Sequence, residues 1–419
     1  MKVLPAHRGA LVASLTVAAL ALTGCATAAP GGGAASADDA TASTEPASRV
    51  ALAYDGGVYV LDGTTLEVVG DFDTEEFTRL NAAGDGRHLF LTTSEGFQLL
   101  DAGTWSDAAG EAHAVEPELT DLLVEAGAAG HVVRHGGLTV LYDDATSDTT
   151  IFDIAELLDV DDALPDAEIV PGTEAHHGVS VVLGDGTLLT TVGGADGRTG
   201  ISVIDDDGHE VASSAECPGV HGEGTLKGEV VVFGCEDGAL VYDDGEIVKL
   251  DAPDEFGRIG NAYVSETSTI MVGDYKDDPD AEGYLLQAVA LVDTEARTLE
   301  VVRLPEAVEY TWRGIARGPN DEALILSADG AVHVLNSETG EITDSWDVVE
   351  PWESPAEWQQ PHPAIVVNGD VAYVTEPAAN AIHVLDLTTG EVIATTELEH
   401  TPNEIAVATG VAPEGASAR

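Results

Sequence analysis

The stretch AEIVPGTEAHHGVSVVLGDGTLLTTVG, residues 167–193, decides the fold because it aligns with two other stretches of the same chain. AGHVVRHGGLTVLYDD precedes it at residues 129–144, and CPGVHGEGTLKGEVVVFGCEDG follows it at residues 217–238. Each stretch has a histidine, a short apolar run, a turn that contains glycine and a second apolar run. A repeat of roughly 40–50 residues is typical of β-propellers and solenoids, in which one structural unit recurs. The three histidines, spaced 46 and 44 residues apart, are His131, His177 and His221.

After Arg49 the chain has the pattern of short β-strands. Runs rich in Val, Ile, Leu and Thr, such as AVALVDTEARTLEVV and AIHVLDLTTGEVIATTEL, are separated by turn sequences such as Asp-Gly and Thr-Gly. Only PELTDLLVEAG, residues 117–127, has the periodicity of a short helix. We therefore predict an all-β chain.

The repeats predict the number of blades in a propeller. The segment 50–74 has three strands, and TPNEIAVATG at residues 401–410 supplies one more. Joining these segments makes an eighth blade from both ends of the chain, and such closure removes exposed sheet edges. We predict a single propeller over residues 49–410 with eight blades, or seven as the alternative, followed by a disordered tail at 411–419. Seven four-stranded units are predicted to open near Leu80, His131, His177, His221, Ile259, Arg313 and His362.

The chain is strongly acidic, with 76 acidic and 16 basic residues and a formal net charge of −60. Such a surface repels phosphate backbones, which excludes nucleic-acid binding through a basic footprint. The charge is typical of a solvated surface that keeps the protein soluble by self-repulsion. The alternative interpretation is a diffuse field that attracts cations.

The N-terminus has the pattern of an export signal. Two basic residues, Lys2 and Arg8, precede the apolar run ALVASLTVAALAL, which is too short for an ordinary membrane span. Leu-Thr-Gly-Cys at residues 22–25 resembles the lipobox of bacterial lipoproteins, so we predict a signal peptide at 1–24 and lipidation of Cys25. Residues 25–48, rich in Ala, Gly, Ser and Pro, are predicted to form a disordered tether. The protein is then extracytoplasmic and lipid-anchored to the outer face of the cell membrane.

Two cysteines, Cys217 and Cys235, remain after the predicted lipidation site. They flank the first two strands of one repeat, and a cysteine pair in an exported protein favours a disulfide. Closing so short a loop contributes on the order of 3 kcal/mol in the chain-entropy model. The alternative is a zinc site made from both cysteines and His221.

The repeated histidines point to a metal site. The innermost strands of a propeller surround a channel, so equivalent residues at the mouths of these strands lie around one axis. Three neutral imidazoles from neighbouring strands form a zinc site with Zn–N distances of about 2.0–2.1 Å. We therefore predict that His131, His177 and His221 bind Zn²⁺; the alternative is that they hydrogen-bond to water and backbone groups.

Other histidines are weaker candidates for this site. His362 holds the same position in its repeat several blades away, and His176 lies beside His177; both are second-rank ligand candidates. His176 and His135 are better placed to hydrogen-bond to the ligating rings and fix their tautomers.

Several strings resemble the AztD-type zinc metallochaperones. They are AHHGVSVVLGDG, CPGVHGEG with VVFGCEDG, and GHVVRHGG followed by LYDDATSDTTIFD. Proteins of that family are extracytoplasmic β-propellers, encoded with a zinc ABC importer, that hand zinc to its solute-binding protein. The resemblance is most specific around residues 129–237. It implies a channel zinc site built largely from histidine, at His131, His177 and His221, and a disulfide between Cys217 and Cys235.

Two features differ from the usual pattern of that family. Its members have a histidine-rich loop where this chain reads TWSDAAGEAHAVEPELTDLL, with His113 as the one histidine. We predict His113 as the fourth ligand, with Glu111 or Glu116 as weaker candidates and an exposed loop histidine as the alternative. A lipid anchor is the second difference, and it confines transfer to partners at the same membrane surface.

The sequence therefore favours an extracytoplasmic metallochaperone, not an enzyme, that binds Zn²⁺ and transfers it to the solute-binding protein of a zinc ABC importer. Imidazole-only sites also accept Cu(II) and Ni(II). The alternative function is an acidic propeller scaffold lipoprotein that mediates protein–protein interaction without metal, with its charge steering basic partners.

An enzyme on the same fold, such as a metal-dependent lactonase or a quinone-dependent dehydrogenase, is disfavoured. The sequence has no nucleophile–base pair with a supporting third residue and no glycine-rich phosphate loop. No carboxylate pair stands out from the acidic background, although Asp274 and Glu223 lie near strand mouths.

Overall fold

A computed structural model of the protein describes residues 41–43, 47–107, 109–281 and 283–411. Nearly all regular structure in this range is β-strand, and eight antiparallel sheets have four strands each. The first strands of successive sheets contact one another, so the sheets are blades around a central channel. The prediction of an all-β propeller with eight blades is confirmed.

In each of blades 1 to 4, the first strand named is the innermost and the last is the outermost. Blade 1 consists of Ile405–Ala408, Arg49–Tyr54, Gly57–Asp62 and Val68–Asp73. Blade 2 consists of Arg79–Ala82, His88–Thr93, Gly96–Asp101 and Glu118–Glu125. Blade 3 consists of Ala129–His135, Leu138–Asp143, Asp148–Asp153 and Glu168–Val170. Blade 4 consists of Ser180–Val182, Leu188–Gly194, Gly197–Ile204 and Glu210–Ser214.

Blades 5 to 8 have the same strand order. Blade 5 consists of His221–Leu226, Val230–Cys235, Gly238–Asp243 and Glu246–Asp251. Blade 6 consists of Ala262–Tyr263, Ile270–Asp274, Ala288–Asp293 and Thr298–Arg303. Blade 7 consists of Ile315–Arg317, Ala323–Leu326, Ala331–Leu335 and Ile342–Asp347. Blade 8 consists of Ile365–Asn368, Val371–Glu376, Ala381–Asp386 and Glu391–Glu397.

The ring closes in blade 1, where the two ends of the chain pair. Strand Arg49–Tyr54 is antiparallel to Ile405–Ala408. Val50 and Leu52 of this strand pack with blade 8, whereas Ala51 and Ala53 pack with blade 2. Both faces of the strand are therefore buried, which explains why it reads as a continuous apolar run instead of an alternating one. Each fully buried Val or Leu side chain contributes about 1.5–3 kcal/mol to folding.

The predicted helix at 117–127 is wrong. Residues Glu118–Glu125 form the outermost strand of blade 2 and pair with Gly96–Asp101. Leu119, Leu122 and Leu123 have the spacing of a helix in the sequence, and the strand accommodates them through a shift in register between Leu119 and Leu123. The α-helix lies instead at Ile154–Leu158, where the Asp153 side chain accepts a hydrogen bond from the backbone N–H of Ala155.

A short 3₁₀ helix, Pro377–Ala379, interrupts blade 8. In the part of the chain that the structure describes, the helices lack the length and apolar character needed to cross a membrane.

A three-stranded sheet stands outside the blades. It consists of Thr41–Ser43, Ala112–Ala114 and Thr104–Ser106, of which the last two form a hairpin inserted in blade 2. Residues 41–43 belong to the segment 25–48 for which the sequence predicts a tether. The predicted signal peptide at 1–24 and Cys25 lie outside the described residues, as do residues 412–419 of the predicted tail.

A disulfide joins Cys217 to Cys235, as the resemblance implies. It connects the loop before blade 5 to the second strand of that blade, and both cysteines are buried. Because both sulfurs are bonded, the alternative zinc site made from the cysteines and His221 does not form.

Candidate metal centre

The three repeated histidines lie at one mouth of the channel. His131 is the third residue of the innermost strand of blade 3, His177 lies three residues before that of blade 4, and His221 begins that of blade 5. All three therefore lie on the side of the propeller where the innermost strands start. We call this side the channel face.

The three imidazole rings form a nearly equilateral group. Ring centroids are separated by 5.1 Å between His131 and His177, 5.0 Å between His131 and His221, and 5.2 Å between His177 and His221. One nitrogen of each ring lies within 4.8 Å of the others. A tetrahedral zinc ion holds nitrogen ligands roughly 3.4 Å from one another, given Zn–N bonds of about 2.0–2.1 Å. The group therefore has the dimensions of a three-histidine zinc site.

Two of these rings are oriented by hydrogen bonds at Nδ1. The Nδ1–H of His177 donates to the carboxylate of Asp144, 2.6 Å away, and that of His221 donates to the carbonyl oxygen of Gly260. Because both partners can only accept, each ring carries its hydrogen on Nδ1. When both rings are neutral, their Nε2 atoms, 3.1 Å apart, present lone pairs toward each other.

The environment keeps His131 and His221 neutral. Burial lowers the pKa of His221 to about 3, even though the hydrogen bond to Gly260 opposes this shift. Burial also lowers the pKa of His131 well below its ordinary value, and the neighbouring His221 and His177 lower it further. Neutral imidazole is the form that binds a metal ion.

Asp274 supports the loop that orients His221. Its buried carboxylate accepts hydrogen bonds from the backbone N–H of Gly260 at 2.6 Å and of Asn261 at 2.9 Å, and from the Asn261 side chain at 2.7 Å. Burial raises the pKa of Asp274, and these hydrogen bonds oppose the shift.

The backbone of blade 5 approaches the same loop closely. Gly222 has a φ of +66°, and a Cβ added there would lie 2.8 Å from the backbone of Asn261. Glycine at 222 therefore permits the contact that places His221 against Gly260.

A cavity of about 330 Å³ opens beside the group. His131, His221 and Glu223 line one part of its wall, and Arg79, Trp312 and Arg313 line another. Burial raises the pKa of Glu223 to about 7.

Three protein nitrogens leave one position of a tetrahedral metal ion unfilled. Closed structural zinc sites fill all four positions with protein ligands, whereas a site with three protein ligands keeps one position open for exchange.

His113 lies outside this group. It belongs to the inserted hairpin, where its ring stacks on Trp105 at 5.2 Å and its Nε2 is 3.3 Å from Asp107. Among the described residues, the group that the structure brings together consists of the three repeated histidines alone, without Glu111 or Glu116.

The second-rank candidates have other partners. His176 lies between blades 3 and 4, with Nε2 3.1 Å from the Tyr142 hydroxyl and 3.0 Å from that of Thr191. His362 stacks on Trp352 in the loop before blade 8, and its Nδ1–H donates to the carbonyl of Gln360. Burial lowers the pKa of His362 to about 4.

His135 does not orient His131. It ends the strand that carries His131, so it lies toward the opposite mouth of the channel, 3.1 Å from Glu229. The residues that do orient the rings, Asp144 and Gly260, were not predicted. Asp144 is the last residue of the stretch 129–144, which aligns with the other repeats. Its position directly after a strand was the one feature of the sequence that could have identified it as a partner of the histidines.

No model of a protein family matches the sequence. The chain is 24% identical over 378 residues to the zinc chaperone AztD of Citrobacter koseri, an alignment that covers 84% of each protein. Two solved structures of C. koseri AztD, one of them the apo form, match at 22% identity with TM-scores of 0.73 and 0.72. These alignments cover 87% and 86% of this chain and 98% of each structure. The resemblance to AztD that the sequence predicts is confirmed.

A more distant structure has a related fold. The dihydro-heme d1 dehydrogenase NirN matches with a TM-score of 0.55 at 12% identity, over 87% of this chain and 76% of that one. At these identities the solved structures support the propeller fold alone.

Proposed function

We propose that the protein binds Zn²⁺ through His131, His177 and His221 and passes the ion to another zinc-binding protein outside the cytoplasm. The acceptor in this proposal is the solute-binding protein of a zinc ABC importer. The curated relative over most of the chain is named a zinc chaperone, which supports this assignment.

One observation carries the proposal. The Nε2 atoms of His177 and His221 are 3.1 Å apart, and both rings carry their hydrogen on Nδ1. Two lone pairs at that distance repel each other unless a cation lies between them. A metal ion bound by the three rings removes the repulsion.

The geometry also fits release by ligand exchange. The side chain of His177 is 48% exposed, whereas His131, within the innermost strand of blade 3, is only partly exposed. An acceptor ligand can therefore bind the open fourth position first and then replace His177. Each protein–metal bond is broken only after a new one has formed, so free Zn²⁺ is never released.

The location of transfer follows from the N-terminal pattern. Lipidation at Cys25 would hold the protein at the outer face of the cell membrane, where the solute-binding protein of an importer also works. This part of the proposal rests on the sequence, since Cys25 lies outside the described residues.

Metal content and zinc affinity of the purified protein test the proposal, by elemental analysis and by competition with a chelator. We expect one zinc per chain in the wild type and none in the double variant His131→Ala/His177→Ala. A matched control, His135→Ala/His209→Ala, removes two histidines outside the group and should keep the zinc.

Two results would contradict the proposal. The first is a wild type without affinity for zinc. The second is a preference for Cu(II) so large that zinc does not bind under conditions where both ions are buffered. A direct transfer assay follows, in which the zinc-loaded protein and a metal-free solute-binding protein are mixed and then separated for metal analysis.

A further inference from the structure

Three arginines surround the histidine group. Arg79 lines the same cavity as His131 and His221. The backbone carbonyl of Arg198 accepts a hydrogen bond from Gly219, two residues before His221. A Cβ added to Gly260, whose carbonyl orients His221, would lie 2.9 Å from Nη1 of Arg258. The charges of Arg79 and Arg198 contribute to the low pKa of His131, and those of Arg198 and Arg258 contribute to that of His221.

All three arginines lie on the channel face. Arg79 is the first residue of the innermost strand of blade 2, and Arg258 belongs to the loop before the innermost strand of blade 6. Arg198 follows the turn between the second and third strands of blade 4, which lies on the same side because successive strands are antiparallel. None of the three side chains is fully buried.

The guanidinium groups have unused donors. Within the described residues, none of the three makes a hydrogen bond to a protein acceptor, and the carboxylate oxygen nearest to Arg79 is that of Glu404 at 4.0 Å. By contrast, Arg49, Arg87 and Arg303 each bind a carboxylate. In a chain with 76 acidic and 16 basic residues, three arginines without a hydrogen-bonded carboxylate around one mouth are a local excess of donors.

Aromatic side chains adjoin Arg79 on the same face. The Arg79 guanidinium lies 5.1 Å from the centre of the Trp312 ring, and Trp312 in turn lies 6.4 Å from Trp358. Trp358 is 37% exposed and packs edge-on against Phe77. Tryptophan and arginine are the residues that most often dominate the energy of protein–protein interfaces.

We propose that Arg79, Arg198 and Arg258 form a docking surface for a carboxylate-bearing segment of another protein, with Trp312 and Trp358 as its apolar border. This inference rests on the proposed function and adds the chemistry of the partner to it. Guanidinium groups bind carboxylates through paired N–H donors. A carboxylate is also a ligand for zinc, so a docked segment brings an acceptor oxygen next to the open coordination position.

At the channel mouth, the arginines favour a partner whose charge is opposite to that attracted by the rest of the surface. The net charge of the chain predicts that basic partners are attracted to the surface as a whole. The arginines make the mouth of the channel an exception, and an acidic segment that reaches it exchanges water for guanidinium donors. The acidic remainder of the surface then repels acidic chains everywhere except at this mouth.

Peptide binding tests the inference. The probe is a peptide of three alternating Asp-Gly pairs that carries an uncharged fluorescent dye, and the control peptide has Asn in place of Asp. Binding is followed by fluorescence anisotropy with the zinc-loaded and the zinc-free protein. We expect the Asp peptide to bind roughly tenfold or more tightly than the Asn peptide at low salt, and this preference to shrink as salt is added.

Variants assign that preference to the arginines. Arg79→Gln/Arg198→Gln/Arg258→Gln should abolish it. Lys249→Gln/Arg297→Gln/Arg303→Gln makes the same change in net charge with residues that are paired to carboxylates outside the channel, and it should keep the preference. The first triple variant should also bind zinc at least as tightly as the wild type, because positive charge near the ion is removed.

Three outcomes would overturn the inference. The first is an unchanged preference in the arginine variant. The second is complete displacement of the peptide by millimolar inorganic phosphate, which would identify a small-anion site. The third is loss of zinc from the arginine variant, which would make the arginines structural supports. Failure of the proposed function can be distinguished from failure of this inference. A wild-type protein that does not bind zinc can still be tested with both peptides in its zinc-free form.

Discussion

Asp144 of blade 3 accepts a hydrogen bond of 2.6 Å from Nδ1 of His177, which precedes blade 4. The carboxylate thus fixes the tautomer and the direction of a ring that belongs to a different blade. Asp144 also accepts a hydrogen bond from the backbone N–H of Gly178. The position of His177 therefore depends on the packing of two neighbouring blades.

Substitution of Asp144 by Asn should weaken zinc binding. The amide can still accept from His177 through its oxygen, but it lacks the negative charge that makes the ring a stronger ligand. Replacing a carboxylate that orients a metal-binding histidine costs about 10- to 100-fold in affinity. Chelator competition measures the change, and Asp148→Asn, in the next strand of the same blade, serves as the matched control. Equal affinities of Asp144→Asn and wild type would show that the hydrogen bond does not tune the site.

Substitution of Asp274 by Asn should act through His221. One carboxylate oxygen accepts from the backbone N–H groups of Gly260 and Asn261, and the other oxygen accepts from the Asn261 side chain. An amide has a single acceptor oxygen, so it cannot accept from all three of these donors. The loop then loses its fixed position, and the carbonyl of Gly260 no longer holds Nδ1 of His221. We expect zinc affinity to fall by about tenfold, comparable to other changes in groups that orient a metal ligand. Thermal unfolding of the zinc-free variant, measured in parallel, separates this effect from a general loss of stability.

The stability of the zinc-free protein should fall as the pH is lowered. The pKa values of His131, His221 and His362 are lower in the folded protein than the ordinary value near 6.5. Below about pH 6.5 the unfolded chain therefore binds more protons than the folded one, and each such histidine costs stability until its folded-state pKa is reached. Urea unfolding at about pH 7 and about pH 5 checks the sign. Glu223, whose pKa is raised to about 7, shifts the stability in the opposite direction over this range, so the comparison is made in the Glu223→Gln variant. Higher stability of that variant at the lower pH would contradict the lowered pKa values of these histidines.

Zinc binding should depend on pH less steeply than a site of three free imidazoles. His221, with its pKa lowered to about 3, carries no proton to be displaced above about pH 4, and the pKa of His131 is also lowered well below its ordinary value. At most one proton should then be released per zinc bound between about pH 5 and 7.5, instead of three. Calorimetry in buffers with different ionisation enthalpies counts these protons. A count near three would contradict the neutral state of the two buried rings.

Removal of the disulfide should lower the free energy of unfolding without removing zinc. The bond between Cys217 and Cys235 closes a loop over a separation of 18 residues, for which the chain-entropy model gives about 3 kcal/mol. Cys217→Ser/Cys235→Ser should therefore unfold at lower urea concentration and still bind one zinc, since neither sulfur belongs to the histidine group. Loss of zinc from the folded variant would assign the bond a role in placing His221.

The repeats in the sequence predicted the fold and the three histidines because both depend on spacing. A residue at the start of a repeat lies near the channel mouth, because the first strand of each repeat is the innermost one. An interval of about 45 residues is the length of one repeat, so it places His131, His177 and His221 on neighbouring blades. The same reasoning placed His362 on the correct face but too far around the ring.

The supporting residues could not be predicted from spacing. Asp144, Gly260 and Asp274 lie in turns and at strand ends whose side chains meet only after the blades pack. Arg79, Arg198 and Arg258 likewise come from blade 2, blade 4 and the loop before blade 6. The prediction of a helix at 117–127 was wrong for a local reason: Leu119, Leu122 and Leu123 have helical spacing, but an irregular strand also accommodates that spacing through a shift in register.

The innermost strand of blade 1, Ile405–Ala408, comes from a part of the chain that follows all the other described strands, whereas its partner Arg49–Tyr54 precedes the other strands of the propeller. Ile405 also lines the cavity beside the histidines. The ring therefore stays open until Ile405–Ala408 pairs with Arg49–Tyr54. A molecule cut short before Ile405 would lack one wall of the cavity, so the three histidines would line an unfinished channel mouth.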